Sequence, residues 1–353
     1  TWESSRAGRH PQILRMNQKF TANSGSDPES WVPDMGGGAI SSLTSLQQGV
    51  GGMIRHRLNQ FSDLQSWSGS GINTGDRLPV RGIWGEIWQI EADQDTRDGI
   101  NGYDARTTGV SVGYDQEYAP GSRVGFAFTW GDSESDTMNA TSSVDTISRS
   151  LAFYGQGNSG VWNIQAGFFY SKGDNQAVRY GGAERIIADY DSSVAGLSAQ
   201  VSRPLSVKRW LVQPQLTANY SRIHVTEYTE QGNSTPTSLA LQVAGQDYSS
   251  FEVGCGVRVQ RRFTLGKGLV IPDMEAMLYH DFSGDRIETT SSFTDGTTSF
   301  TTLGAEPAQD TWQFAFGLTY ETGTNMSFRM SYDFTGRDDY QANSLNAQLR
   351  YEF

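Results

Sequence analysis

The last nine residues, Leu345-Asn346-Ala347-Gln348-Leu349-Arg350-Tyr351-Glu352-Phe353, alternate apolar and polar without a break. On a strand, Leu345, Ala347, Leu349, Tyr351 and Phe353 point one way, and Asn346, Gln348, Arg350 and Glu352 the other. The same period of two starts at Gly82 and continues to the chain end. Val124, Phe126, Phe128 and Trp130 oppose Gly125, Ala127 and Thr129. Trp162, Ile164, Ala166, Phe168 and Tyr170 oppose Asn163, Gln165 and Gly167. Phe251, Val253, Cys255, Val257 and Val259 oppose Glu252, Gly254, Gly256, Arg258 and Gln260. Phe328, Met330, Tyr332 and Phe334 oppose Arg329, Ser331 and Asp333. Aromatics sit at the ends of many apolar faces, where a membrane barrel places its interfacial girdles. The opposite faces suit a wet or polar-packed lumen, so Glu252, Arg258, Arg329 and Asp333 are predicted to face inward. For the last strand alone, the edge of a soluble sandwich is the competing reading.

Three segments, near 83–92, 144–154 and 270–280, have less clear registers, because residues such as Glu86 and Arg149 interrupt a clean face. Pro214 falls within a strand and has no N–H to give its neighbour, which predicts a bulge or a local gap. Counted from Gly82 there are twelve strands. The even links are short, as in Ala119-Pro120-Gly121-Ser122 or Phe263 to Gly268. The odd links are mostly longer, near 94–102, 131–143, 172–188, 227–246, 283–309 and 335–340. Regular alternation of short and long links is the mark of an even-stranded barrel with periplasmic turns and extracellular loops. The expected fold class is therefore an all-β membrane protein, a 12-stranded antiparallel outer-membrane β-barrel. The long loops are rich in acids, such as Asp95, Asp132 and Asp191, and the short turns carry Arg203, Lys208 and Arg261. Ordinary solvation also accounts for that charge pattern.

Ahead of the strands the period changes. Leu43, Leu46, Val50, Met53, Ile54, Leu58 and Phe61 recur at helical spacing, which predicts a helix over 40–61. Gly49, Gly51 and Gly52 weaken a water-exposed helix but suit one threaded through a narrow space. Residues 1–39 have no sustained period and read as a linker or the tail of something longer, 62–81 as a polar connector, and 82–353 as the barrel.

Composition changes this picture little. The hydrophobic share is 36% and the mean hydropathy −0.50. No run of about 18 apolar residues exists, so no transmembrane helix is predicted. A barrel strand needs only about 9–11 residues, half of them apolar, so these averages do not exclude it. A net charge of −12 argues against a nucleic-acid partner. The four His are scattered and Cys255 is alone, so no metal site, cofactor site or internal disulfide is predicted. Cys255 is expected to face lipid.

A glycine-bearing linker, an amphipathic helix and twelve strands ending in an aromatic residue resemble the translocator domain of autotransporters, the type V secretion systems of Gram-negative bacteria. Ile83-Trp84-Gly85-Glu86-Ile87-Trp88 looks like that family's first strand, Trp210-Leu211-Val212-Gln213-Pro214 like its Trp…Pro strand, and Pro272 to Phe282 like its Pro…His-x-Phe strand. The terminal Leu349, Tyr351 and Phe353 resemble the signal read by the outer-membrane barrel assembly machinery. The resemblance implies an outer-membrane location, with lipid and lipopolysaccharide around a monomer. It implies that an upstream passenger in cis is exported to the cell surface, with 1–39 as its remnant or linker. It implies that the helix stays in the lumen as a plug, with Leu46, Val50, Arg55, His56 and Arg57 inside. Arg55, His56 and Arg57 would then meet luminal carboxylates such as Glu252 or Asp333; an exposed basic helix end is the alternative. Some members cut an Asn-Asn bond in this helix. The chain contains no Asn-Asn, so that self-cleavage is not expected.

Two other functions compete. A barrel enzyme needs a nucleophile–base–orienter set. His280 and Asp281 are adjacent and so face opposite ways, and no catalytic residue is nominated. An outer-membrane channel needs an open lumen, which the helix at 40–61 argues against.

Overall fold

The computed structural model describes residues 12–13, 38–65, 81–138, 141–181, 184–233, 239–283, 286–294, 299–322 and 324–353. Most of the predicted linker 1–39 and connector 62–81 lies outside these residues. Twelve long strands form the wall: β1 (Arg81–Gln94), β2 (Tyr103–Ala119), β3 (Ser122–Thr137), β4 (Ser142–Ser159), β5 (Trp162–Gly181), β6 (Glu184–Ser202), β7 (Trp210–Val225), β8 (Gln246–Gln260), β9 (Gly268–Asp281), β10 (Asp310–Glu321), β11 (Met326–Arg337) and β12 (Tyr340–Glu352). Each pairs antiparallel with the next. The ring closes where β1 pairs with β12, from Gly82 opposite Glu352 to Gln94 opposite Tyr340. Closure leaves no sheet edge, which backbone groups in lipid require.

Side chains alternate across this wall. Phe126, Phe153, Phe168, Leu197, Tyr220 and Phe251 lie in one cross-strand row on the outer surface. In the last strand Leu349, Tyr351 and Phe353 also point outward, and Phe353 is 58% exposed. The unclear registers resolve here. In β1, Ile83 and Ile87 face out while Trp84, Glu86, Trp88 and Ile90 face in. Apolar residues stand on both faces because the lumen holds a helix that needs apolar contact, so period alone did not choose. In β4, Leu151 and Phe153 are exposed outside, and Arg149 is outside with them, paired with Asp174.

Pro214 causes a gap rather than a bulge. Ser202 opposite Gln215 and Leu205 opposite Val212 keep one register; between them Arg203 still donates its N–H to the Pro214 carbonyl at 3.1 Å, but neither Pro214 nor Pro204 has an N–H to give in return. A register shift occurs elsewhere, between Glu117 and Ala119 at the end of β2.

Two of the predicted long loops are strand. β3 runs to Thr137 and β4 starts at Ser142; β5 runs to Gly181 and β6 starts at Glu184. Above the lipid nothing rewards an apolar outer face, so Asp132 and Glu134 stand outside while Ser133 and Ser135 are buried inside. The ladder continues without the hydrophobic signal. Two other links carry a small second sheet: Tyr228–Thr229, Leu241–Val243, Glu288–Phe293 and Ser299–Leu303, around a core of Leu241, Val243 and Phe300. Gln12 and Ile13 join its edge, parallel to Phe300 and Thr301.

Candidate functional site

A helix, α1 (Gly38–Gln65), lies within the ring. Its apolar positions recur every three or four residues, and Leu43, Leu46, Val50, Met53, Ile54, Leu58 and Phe61 are all buried. They pack off-centre, against the inner faces of β1 to β6. Missing side chains make room. Gly49 lies against the Trp88 indole, where an added Cβ would stand 2.5 Å from ring carbons. Gly167 of β5 faces Ile54, where an added Cβ would stand 2.7 Å from a methyl. Helix and wall together form one apolar cluster with Trp84, Trp88, Tyr154 and Phe169.

Long polar side chains tie the helix to both walls. Arg55 donates to Asp333 at 3.0 Å and to Gln313 at 2.6 Å. His56 Nε2 lies 3.0 Å from the same Asp333 carboxylate, which also accepts from Asn346 at 2.9 Å. Arg57 Nε donates to Asp115 at 2.8 Å, and Arg350 donates to its other oxygen at 2.9 Å. Asn59 donates to Glu275 at 3.1 Å, and its carbonyl accepts from Arg258 at 3.3 Å. Asp273 holds both Arg258 and Arg329. Such charges are tolerable out of bulk water only because they are paired and hydrogen-bonded.

The predicted helix residues Leu46, Val50, Arg55, His56 and Arg57 all lie in the lumen, and Glu252, Arg258, Arg329 and Asp333 lie on its wall. The pairing differs from expectation. Asp333 meets Arg55 and His56, but Glu252 meets Arg337 at 3.6 Å and not the helix. Arg57 goes to Asp115, which sequence reasoning did not name as a partner. Glu275 and Asp273 were missed because β9 was a segment of unclear register; the shared parity of Asp273, Glu275, Met277 and Tyr279 was the available signal. Partner choice across the lumen depends on how far each strand is staggered around the ring, which no local pattern states. Cys255 is exposed on the outer surface. His280 is outside beside Asp310 at 2.8 Å, whereas Asp281 is buried and accepts from Ser250 at 2.8 Å, so the two do not act together.

A closed twelve-stranded barrel with an apolar exterior and an occupied lumen defines an outer-membrane β-barrel. The family model "Autotransporter beta-domain" matches residues 83–333, and the chain belongs to that family: it is an outer-membrane translocator domain of a Gram-negative bacterium. Outer membrane protein B of Rickettsia prowazekii (strain Madrid E) is 23% identical over 325 residues, covering 86% of this chain. The chain spans only 19% of that relative's length. Among solved structures, the translocator domain of autotransporter NalP from Neisseria meningitidis has a TM-score of 0.67 at 15% identity, covering 89% of this chain and 98% of that one. The beta domain of the Bordetella autotransporter BrkA has a TM-score of 0.57 at 18% identity, covering 78% of this chain and 100% of that one. These two likenesses concern the fold.

Proposed function

We propose that this domain exports the polypeptide that precedes it and then keeps α1 in the lumen as a plug. The observation that carries this reading is the position of the chain upstream of the barrel. The helix begins at the long-loop end, where Ser41 bonds Ser135 at 2.8 Å. It descends towards the short turns, where the Phe61 ring packs beneath Arg123. Gln12 and Ile13 pair with the small sheet on the long-loop side. A chain emerging from the lumen towards the cell surface has this order, and residues 1–39 then read as a passenger remnant or linker.

In the same reading, Leu349, Tyr351 and Phe353 serve as the insertion signal for the barrel assembly machinery, because they form an outward row on the strand that closes the ring. The barrel works as a monomer, surrounded by lipid and lipopolysaccharide and carrying its passenger in cis. It performs no catalysis of its own. The plug is tested by single-channel conductance in planar bilayers. A variant lacking residues 38–65 is expected to conduct several-fold more than the full chain. Equal conductance would favour an ordinary pore, in which the helix blocks nothing.

A further inference from the structure

We infer that the lumen is sealed by one layer at its periplasmic end, built on Arg57 and Phe61, and that the space above it is a blind vestibule open to the outside. The inference rests on the plug reading and locates the seal within it.

Accessibility along α1 shows the division. Thr44, Gln47, Gln48, Gly51, Gly52 and Arg55 form a half-exposed stripe at helical spacing on one face of α1. The stripe stops at Arg55. His56, Arg57, Leu58, Asn59, Gln60 and Phe61 are all buried, on every side of the helix. An added Cβ on Gly51 or Gly52 would meet nothing within 4 Å. A cavity of about 160 Å³ fills this space, between Gly51, Gly52 and Arg55 on the helix and Gln200, Glu252 and Gln313 on the wall, and it ends at Leu58 and Gln165. A second, of about 170 Å³, adjoins it at Thr44, Gln47, Glu252 and Arg337 and reaches Arg97 and Pro307 on the long-loop side. Each is large enough for water and is lined by groups that hydrogen-bond it.

Below Arg55 the chemistry changes. Two guanidiniums lie over the Phe61 ring, Arg57 at 4.4 Å and Arg123 at 5.2 Å from its centroid. Tyr154 packs on it at 6.2 Å between centroids. Arg57 is fixed from its other side by Asp115, itself shared with Arg350. This layer joins α1 to β2, β3, β4 and β12. The rest of the cross-section is closed by Gln165 of β5 on the Leu58 carbonyl, by Asn59 between Glu275 and Arg258, and by Asp273 between Arg258 and Arg329.

The test uses the whole protein with Cys255→Ser, which removes only an outward-facing thiol. On intact cells, a membrane-impermeant maleimide is expected to label Gly51→Cys and Gln47→Cys but not Gln60→Cys, with labelling after denaturation as the reference. Protection of Gly51→Cys, or equal labelling of Gln60→Cys, would overturn the proposal. In bilayers, Phe61→Ala is expected to raise conductance several-fold, while Phe61→Leu and Gln48→Ala leave it at the parent value. If deleting the helix raises conductance and Phe61→Ala does not, the seal lies elsewhere and the plug reading survives. If neither changes it, the plug reading itself fails.

Discussion

Asp115 binds a guanidinium on each of its oxygens, Arg57 from the helix and Arg350 from the closing strand, and is fully buried. Removing Arg57 leaves Asp115 paired with Arg350 but takes away its bond to the helix. Arg57→Ala is therefore expected to destabilise the folded barrel by about 1.5–3 kcal/mol, the usual worth of a hydrogen bond to a charged group. The urea midpoint for loss of heat-modifiable migration measures it, and a midpoint equal to the parent's would count against the pairing. Arg149→Ala is the contrast. Its partner Asp174 and Arg149 itself are both more than half exposed, so a change under about 1 kcal/mol is expected in the same assay. At this scale the sequence was only partly informative. The parity of Glu252 and Asp333 showed that they face inward. Which helix cation each would meet depended on barrel stagger, so Glu252 was paired with the helix in expectation and with Arg337 in the structure.

At the scale of elements, α1 and the β1 to β6 wall fit because each gives up side chains where the other protrudes. Gly167→Leu would drive a side chain into the buried Ile54. Overpacking of this kind costs about 1–3 kcal/mol and is expected to fall on the helix contact rather than on the strand ladder. Protease digestion of purified barrel should then release α1 at a lower urea concentration than in the parent, while the barrel itself stays heat-modifiable. Unchanged release would mean that Ile54 does not hold the helix. Most elements were legible. Strands with lipid outside and polar groups inside announce themselves, as Trp162 to Tyr170 does, and so does the apolar stripe of the helix. What stayed hidden was strand without lipid. The tops of β3 to β6 carry polar residues on both faces, so they read as loops although the ladder continues through them.

For the whole molecule, the order of parts along the lumen carries the functional account. The long loops and the small sheet, with Gln12 and Ile13 on its edge, lie at the end where α1 begins. The basic and aromatic layer around Phe61 lies at the end where it finishes. A translocator that has finished export leaves its upstream chain on the outer side in this arrangement; a channel has no reason to. The most direct measurement places an epitope ahead of Thr1, supplies a secretion signal, and exposes intact cells to protease. The account predicts that the epitope is shaved from the surface while the barrel remains folded and heat-modifiable. An epitope protected on intact cells, in a barrel folded to the same extent, would place the upstream chain in the periplasm and contradict the account.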